Sequence, residues 1–132
     1  MITAKLEIPT FPGLTEKEVT ELYRDGRVAS KFLEVYFARL FKWELVDAKN
    51  YDFLTPSYQK VEFKTLTKRG CNFLPSRMKG SSRKVDSAEA EKVIIENLYL
   101  ICDIRLFPVI RYKLYEGKEL LRKYPKYVIK EL

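Results

Sequence analysis

Apolar residues recur at three- and four-residue intervals through RVASKFLEVYFARLFKW, residues 27–43. Val28, Phe32, Tyr36 and Leu40 form one stripe and Leu33, Phe37 and Phe41 another, which predicts a helix whose apolar surface is wide enough to be largely buried. Ahead of it, LTEKEVTELYRDG carries a shorter helical pattern, with Thr15 and Glu18 spaced as a capping box and Gly26 as a stop signal. After Trp43 the period changes. ELVDAKNYDFL is rich in β-branched and aromatic residues, Thr55-Pro56-Ser57 supplies turn chemistry, and QKVEFKTL alternates with period two, which together predict a β-hairpin.

The next stretch, TKRGCNFLPSRMKGSSRKV, is punctuated by Gly70, Pro75 and Gly80-Ser81-Ser82 and reads as an irregular ribbon or loop. DSAEAEKVIIENL returns to helical spacing with Asp86 or Ser87 at its N-cap. LYLICDI and FPVIRYKLY read as strands, GKELLRKY as a short helix and KYVIKEL as a final strand or tail. The expected class is α/β or α+β.

Composition narrows the function. A chain of 132 residues, 46% hydrophobic and 33% charged, suits one soluble globular domain. Charges interrupt every apolar run well short of the about 20 residues of a membrane span, and MITAKLEIPTFPG lacks a signal-peptide apolar region. The expected location is intracellular, cytoplasmic or nucleoid-associated, with no membrane partner. Cys71 and Cys102 lack metal-ligand spacing and are expected to be free structural thiols. The absence of histidine removes Ser-His-Asp triads, Cys-His dyads and His-based metal sites. Neither phosphate-binding glycine motif is present, so no nucleotide cofactor is expected. Carboxylates, amines, hydroxyls and a hard metal ion are left to carry chemistry.

VEFKT, residues 61–65, is where they concentrate. On a strand, Glu62, Lys64 and Leu66 share one face and Val61, Phe63 and Thr65 the other. If the hairpin loop is residues 55–59, position 54 pairs with 60 and Asp52 stands opposite Glu62. Directly opposed carboxylates repel, and a divalent cation between them is the natural remedy. Mg²⁺ or Mn²⁺ takes such an all-oxygen set, and Lys64 on the same face is placed to orient a water or offset charge on a phosphate. Glu34, in the middle of the long helix, is a third carboxylate; Lys31 or Arg27 is an equally available partner for it.

A helix bearing Glu34, then Asp52, then Glu62-Phe63-Lys64 resembles the PD-(D/E)XK nuclease superfamily over roughly residues 26–115. The resemblance implies a restriction-endonuclease-like core, a central mixed β-sheet flanked by helices. It also implies catalysis by Asp52, Glu62, Lys64 and Glu34, with Mg²⁺ or Mn²⁺ held by Asp52, Glu62 and the main-chain carbonyl of Phe63. Tyr51 stands where the family motif has proline, which leaves Asp47 as a rival for the aspartate role.

The net charge of +7 suits a polyanionic partner, and its distribution points to DNA. From Phe63 to Val85 the chain is free of acidic residues, and Lys68, Arg69, Asn72, Arg77, Lys79, Arg83 and Lys84 are the expected nucleic-acid contacts, mostly to phosphates. The aromatic residues Tyr99, Phe107, Tyr112 and Tyr115 are expected in the core. A homodimer or higher homo-oligomer is expected, because cutting two strands takes two sites. These features lead to a metal-dependent DNA endonuclease, site-specific in the restriction or homing manner. A structure-specific Holliday junction resolvase and a non-catalytic nucleic-acid-binding protein are the alternatives.

Overall fold

The computed structural model describes residues 1–79 and 86–132, with Arg77 described in its backbone only. The strands are β1 (Ile2–Lys5), β2 (Glu44–Leu45), β3 (Phe53–Leu54), β4 (Lys60–Leu66), β5 (Cys71–Asn72), β6 (Leu98–Asp103), β7 (Val109–Glu116) and β8 (Val128–Ile129). The helices among the described residues are α1 (Glu16–Leu22), α2 (Gly26–Phe41), α3 (Ser87–Glu96) and α4 (Gly117–Lys123), with a 3-10 turn at Ser76–Met78. The class is mixed α and β: one six-stranded sheet in the order β1-β7-β6-β4-β3-β2, and a separate β5-β8 ribbon. Of the pairs in the large sheet, β4 and β6 alone run parallel, joined through α3.

The sheet is covered on both faces. On one face α2 lays Ala29, Leu33 and Phe37 against Phe53, Val61, Phe63, Leu100, Ile110 and Tyr112. On the other, α3, α4 and the β5-β8 ribbon bury Leu66, Phe73, Ile94, Tyr99, Ile101, Tyr115 and Leu120. β6 therefore reads as an almost unbroken apolar run, as a parallel strand buried on both sides does. The expected core aromatics Tyr99, Phe107, Tyr112 and Tyr115 are all buried, and both cysteines are free and buried.

Thr15 and Glu18 form the capping box at the start of α1. Gly26, however, is not a stop but the first residue of α2, with Asp25 as its cap. Its missing side chain matters at this point, because a Cβ there would run into the Thr65 hydroxyl of β4. The turn between the two helices is made by Tyr23–Asp25, and α2 ends at Lys42, whose backbone is left-handed (φ 56). The stripe of Phe32 and Leu40 is not buried either: they are 56% and 47% exposed, because the sheet covers a single side of α2. The hairpin register is as expected, Leu54 opposite Lys60 and Phe53 opposite Val61. The expected turn residues Gly80, Ser81 and Ser82 lie outside the described residues.

Candidate active site

β3 and β4 pair for two residues and then separate. Asp52 sits at the fork. Its N–H donates to the Val61 carbonyl at 2.8 Å, and its carboxylate Oδ2 accepts from the Phe63 N–H at 2.8 Å, replacing the main-chain acceptor that β3 no longer supplies. In a strand both backbone groups of a residue face the same neighbour, so the Phe63 carbonyl is turned toward the same open edge. The loop leading to Asp52 is tied down by the buried Asn97 at the end of α3, whose Nδ2 donates to the Asn50 carbonyl at 2.6 Å.

Two more carboxylates meet Asp52. Glu34, 7% exposed on α2, reaches it from one face of the sheet; Glu62 of β4 reaches it from the other. Lys31 pairs with Glu34 at 3.6 Å from solvent, so of the two cationic partners open to Glu34 it is Lys31 that engages, while Arg27 is taken up by Asp25. Burial first, then the hydrogen bond to Asp52, pushes Glu62 up to about 9; the same pair of causes pushes Glu34 up to about 7. Burial also acts to raise Asp52, but hydrogen bonds from Glu62, the Phe63 N–H and Glu34, with the Lys64 charge, outweigh it and hold Asp52 below the ordinary carboxylate range. Protons shared along Glu34–Asp52–Glu62 thus take up the repulsion among these acids.

Lys64 is half-buried, and its Nζ lies 3.4 Å from the Leu74 carbonyl and from the Ser76 hydroxyl. The charged side of β4 is therefore not an open solvated face, because residues 71–79 fold back over it. A cleft of about 470 Å³ opens beside the acids, walled by Lys31, Glu34, Val35, Leu45, Val46, Asp47 and Asp52. Asp47 is exposed at this cleft, and Asp52, not Asp47, is the aspartate in contact with Glu62.

Among the described residues no three acidic or thiol side chains converge as a ready ligand set for a metal ion. The contacts run pairwise through Asp52, which offers two carboxylates and, from Phe63, a carbonyl. That donor set fits Mg²⁺ or Mn²⁺, hard ions commonly bound through one or two carboxylates with water completing the shell.

The basic residues divide. Lys68 and Arg69 are exposed in the tight turn between β4 and β5, and Asn72 is exposed on β5, where its side-chain carbonyl accepts from Leu74 N–H at 3.0 Å. Lys79 is half-buried and meets the Lys64 ammonium beside Glu62 instead of facing outward. Arg83, Lys84 and the side chain of Arg77 lie outside the described residues. Sequence reasoning missed the place of Lys79 in the carboxylate cluster, and also that of Tyr99, which lies opposite Glu62 in the parallel register. A parallel register leaves no signal in a turn, so nothing local set Tyr99 beside Glu62, and the basic run marked Lys79 as a backbone contact alone.

Compared with family models, curated proteins and solved structures, the chain matches nothing. Among the described residues no helix is long and apolar enough to cross a membrane.

Proposed function

We propose that this chain is a metal-dependent DNA endonuclease with a restriction-endonuclease-like core of the PD-(D/E)XK kind, acting as a homodimer or higher homo-oligomer. One observation carries the reading: Asp52 at the β3–β4 fork, joined to Glu62 and Glu34, with Lys64 alongside. A purely structural sheet gains nothing by bringing Glu34 and Glu62 each onto Asp52, and burying them costs stability unless something repays it. Asp52, Glu62 and the Phe63 carbonyl would hold Mg²⁺ or Mn²⁺. Such an ion supplies Lewis-acid polarisation of the phosphate and acidifies a bound water.

The chain's own residues do the rest. Glu34 and Asp52 hold the water by hydrogen bonds, and Lys64 offsets charge on the phosphate oxygens as the water oxygen bonds to phosphorus. The bond to the departing sugar oxygen breaks with its electron pair. The water's proton passes to solvent and the sugar oxygen takes one from solvent, leaving a phosphate on one end and a hydroxyl on the other. Lys68 and Arg69, exposed at the far end of β4, suit phosphates farther along the duplex.

The test is cleavage of supercoiled, linear and four-way-junction DNA with Mg²⁺ or EDTA. Mg²⁺-dependent nicking or linearisation at fixed positions is the expected result. Cleavage of junctions alone would make the protein a resolvase, and binding without cleavage on every substrate would make it a non-catalytic binder.

A further inference from the structure

Lys79 follows the 3-10 turn at Ser76–Met78, and this turn is anchored: Leu74 and Met78 are buried against Ala90 of α3. The segment that carries Lys79 also holds Lys64, through the Leu74 carbonyl and the Ser76 hydroxyl. Two ammonium groups are thereby brought together, half-buried, beside Glu62. Like charges in such a place repel and lose hydration, and Lys64 alone is enough to balance Glu62. A second cation calls for a second anion.

The surrounding charges identify it. Glu34 is balanced by Lys31, and Asp52 with Glu62 would balance one divalent cation, so Lys64 and Lys79 together leave the site positive by two units. A neutral site has no electrostatic preference for a phosphodiester, whereas a positive one attracts it and gains further as attack adds charge to the phosphoryl oxygens.

We propose that Lys79 is a catalytic residue, forming with Lys64 a two-ammonium site for the scissile phosphate. This rests on the nuclease reading above and deepens it, moving Lys79 out of the set of residues that hold the DNA backbone at large. The ammonium donates hydrogen bonds to the phosphate oxygens and transfers no proton.

The experiment compares wild type, K79M and K79R in single-turnover cleavage at saturating DNA with Mg²⁺, in DNA binding with Ca²⁺, and in thermal melts. We expect K79M to lose roughly thirtyfold or more in the saturating rate, K79R to recover most of it, and DNA affinity to move less than about threefold. An unchanged saturating rate with weaker binding and a salt slope flatter by about 0.9 would make Lys79 an ordinary backbone contact and overturn the proposal. Cleavage lost only in step with a lowered melting temperature, unrescued by K79R, would overturn it as well. If wild type cleaves nothing, the nuclease reading fails, and calorimetry with thymidine 3′,5′-bisphosphate in Mg²⁺ still decides the anion site. Binding about tenfold weaker in K79M sustains the site; equal binding removes it.

Discussion

A peptide N–H in the middle of a sheet ordinarily meets a carbonyl; that of Phe63 meets a carboxylate. The same carboxylate touches Glu62 and Glu34, so the group that caps the fork also organises the acids. Lys64→Ala removes a charge near them while leaving both cores intact. Cleavage should fall at least about a hundredfold with folding and DNA affinity little changed, measured by single-turnover kinetics and binding in Ca²⁺. The acids make a second prediction, about pH. Glu62 and Glu34 sit above their ordinary value of 4.5, at about 9 and about 7, because burial and Asp52 favour their neutral forms. A raised value means that the folded chain holds these protons more tightly. The stability they contribute is fully present below about pH 4.5 and is lost as pH climbs through 7 and then 9. Asp52, held low, acts oppositely, and its contribution fades only in acid. Metal-free protein should therefore melt lower at pH 9 than at pH 6, and Mg²⁺ should raise the melting temperature far more at pH 9. Equal Mg²⁺ effects at both values would count against Asp52 and Glu62 as ligands.

At the scale of elements, α2 shows what periodicity can and cannot tell. Its three- and four-residue spacing located the helix to within about two residues, but two apolar stripes left open which one meets the sheet. Phe37 is fully buried between Phe63 and Tyr112, whereas Phe32 stands 56% exposed near Tyr23. Phe37→Ala should cost about 3–5 kcal/mol in urea unfolding and Phe32→Ala less than about 1.5. The hairpin was more legible, because loop length fixes its register, Phe53 against Val61 and Leu54 against Lys60; beyond them the strands part, and Asp52 meets Glu62 through side chains, not as a ladder pair. Glu34 was legible as a mid-helix acid that could join Asp52 and Glu62, with Lys31 or Arg27 as equally available partners; in the structure it meets both Asp52 and Lys31. The fold-back of residues 71–79 was not legible at all. Its position comes from Leu74 and Met78 packing on α3 and from β5 pairing with β8 more than fifty residues later, and no local pattern encodes such distant partners.

For the whole molecule, the +7 charge suits long-range attraction to a polyanion, and the exposed turn of Lys68 and Arg69 is the place that the proposed nuclease would put in contact with it. Replacing both by alanine should weaken binding to every DNA sequence alike and flatten the plot of log K against log salt by up to about two units, as fluorescence anisotropy would read it. An unaltered slope would place the duplex elsewhere. The sheet order bears on a different matter, the making of the protein. Among the described strands β1 is made about a hundred residues before its partner β7, and β4 is made before its partner β6. At roughly 5–20 residues per second, β1 goes unpaired for several seconds while all of Glu34, Asp52, Glu62 and Lys64 have already been translated. The acids consequently exist as sequence before they exist as a site, because β4 is held in the sheet by β6, and β6 by β7, both of which are made after all of them.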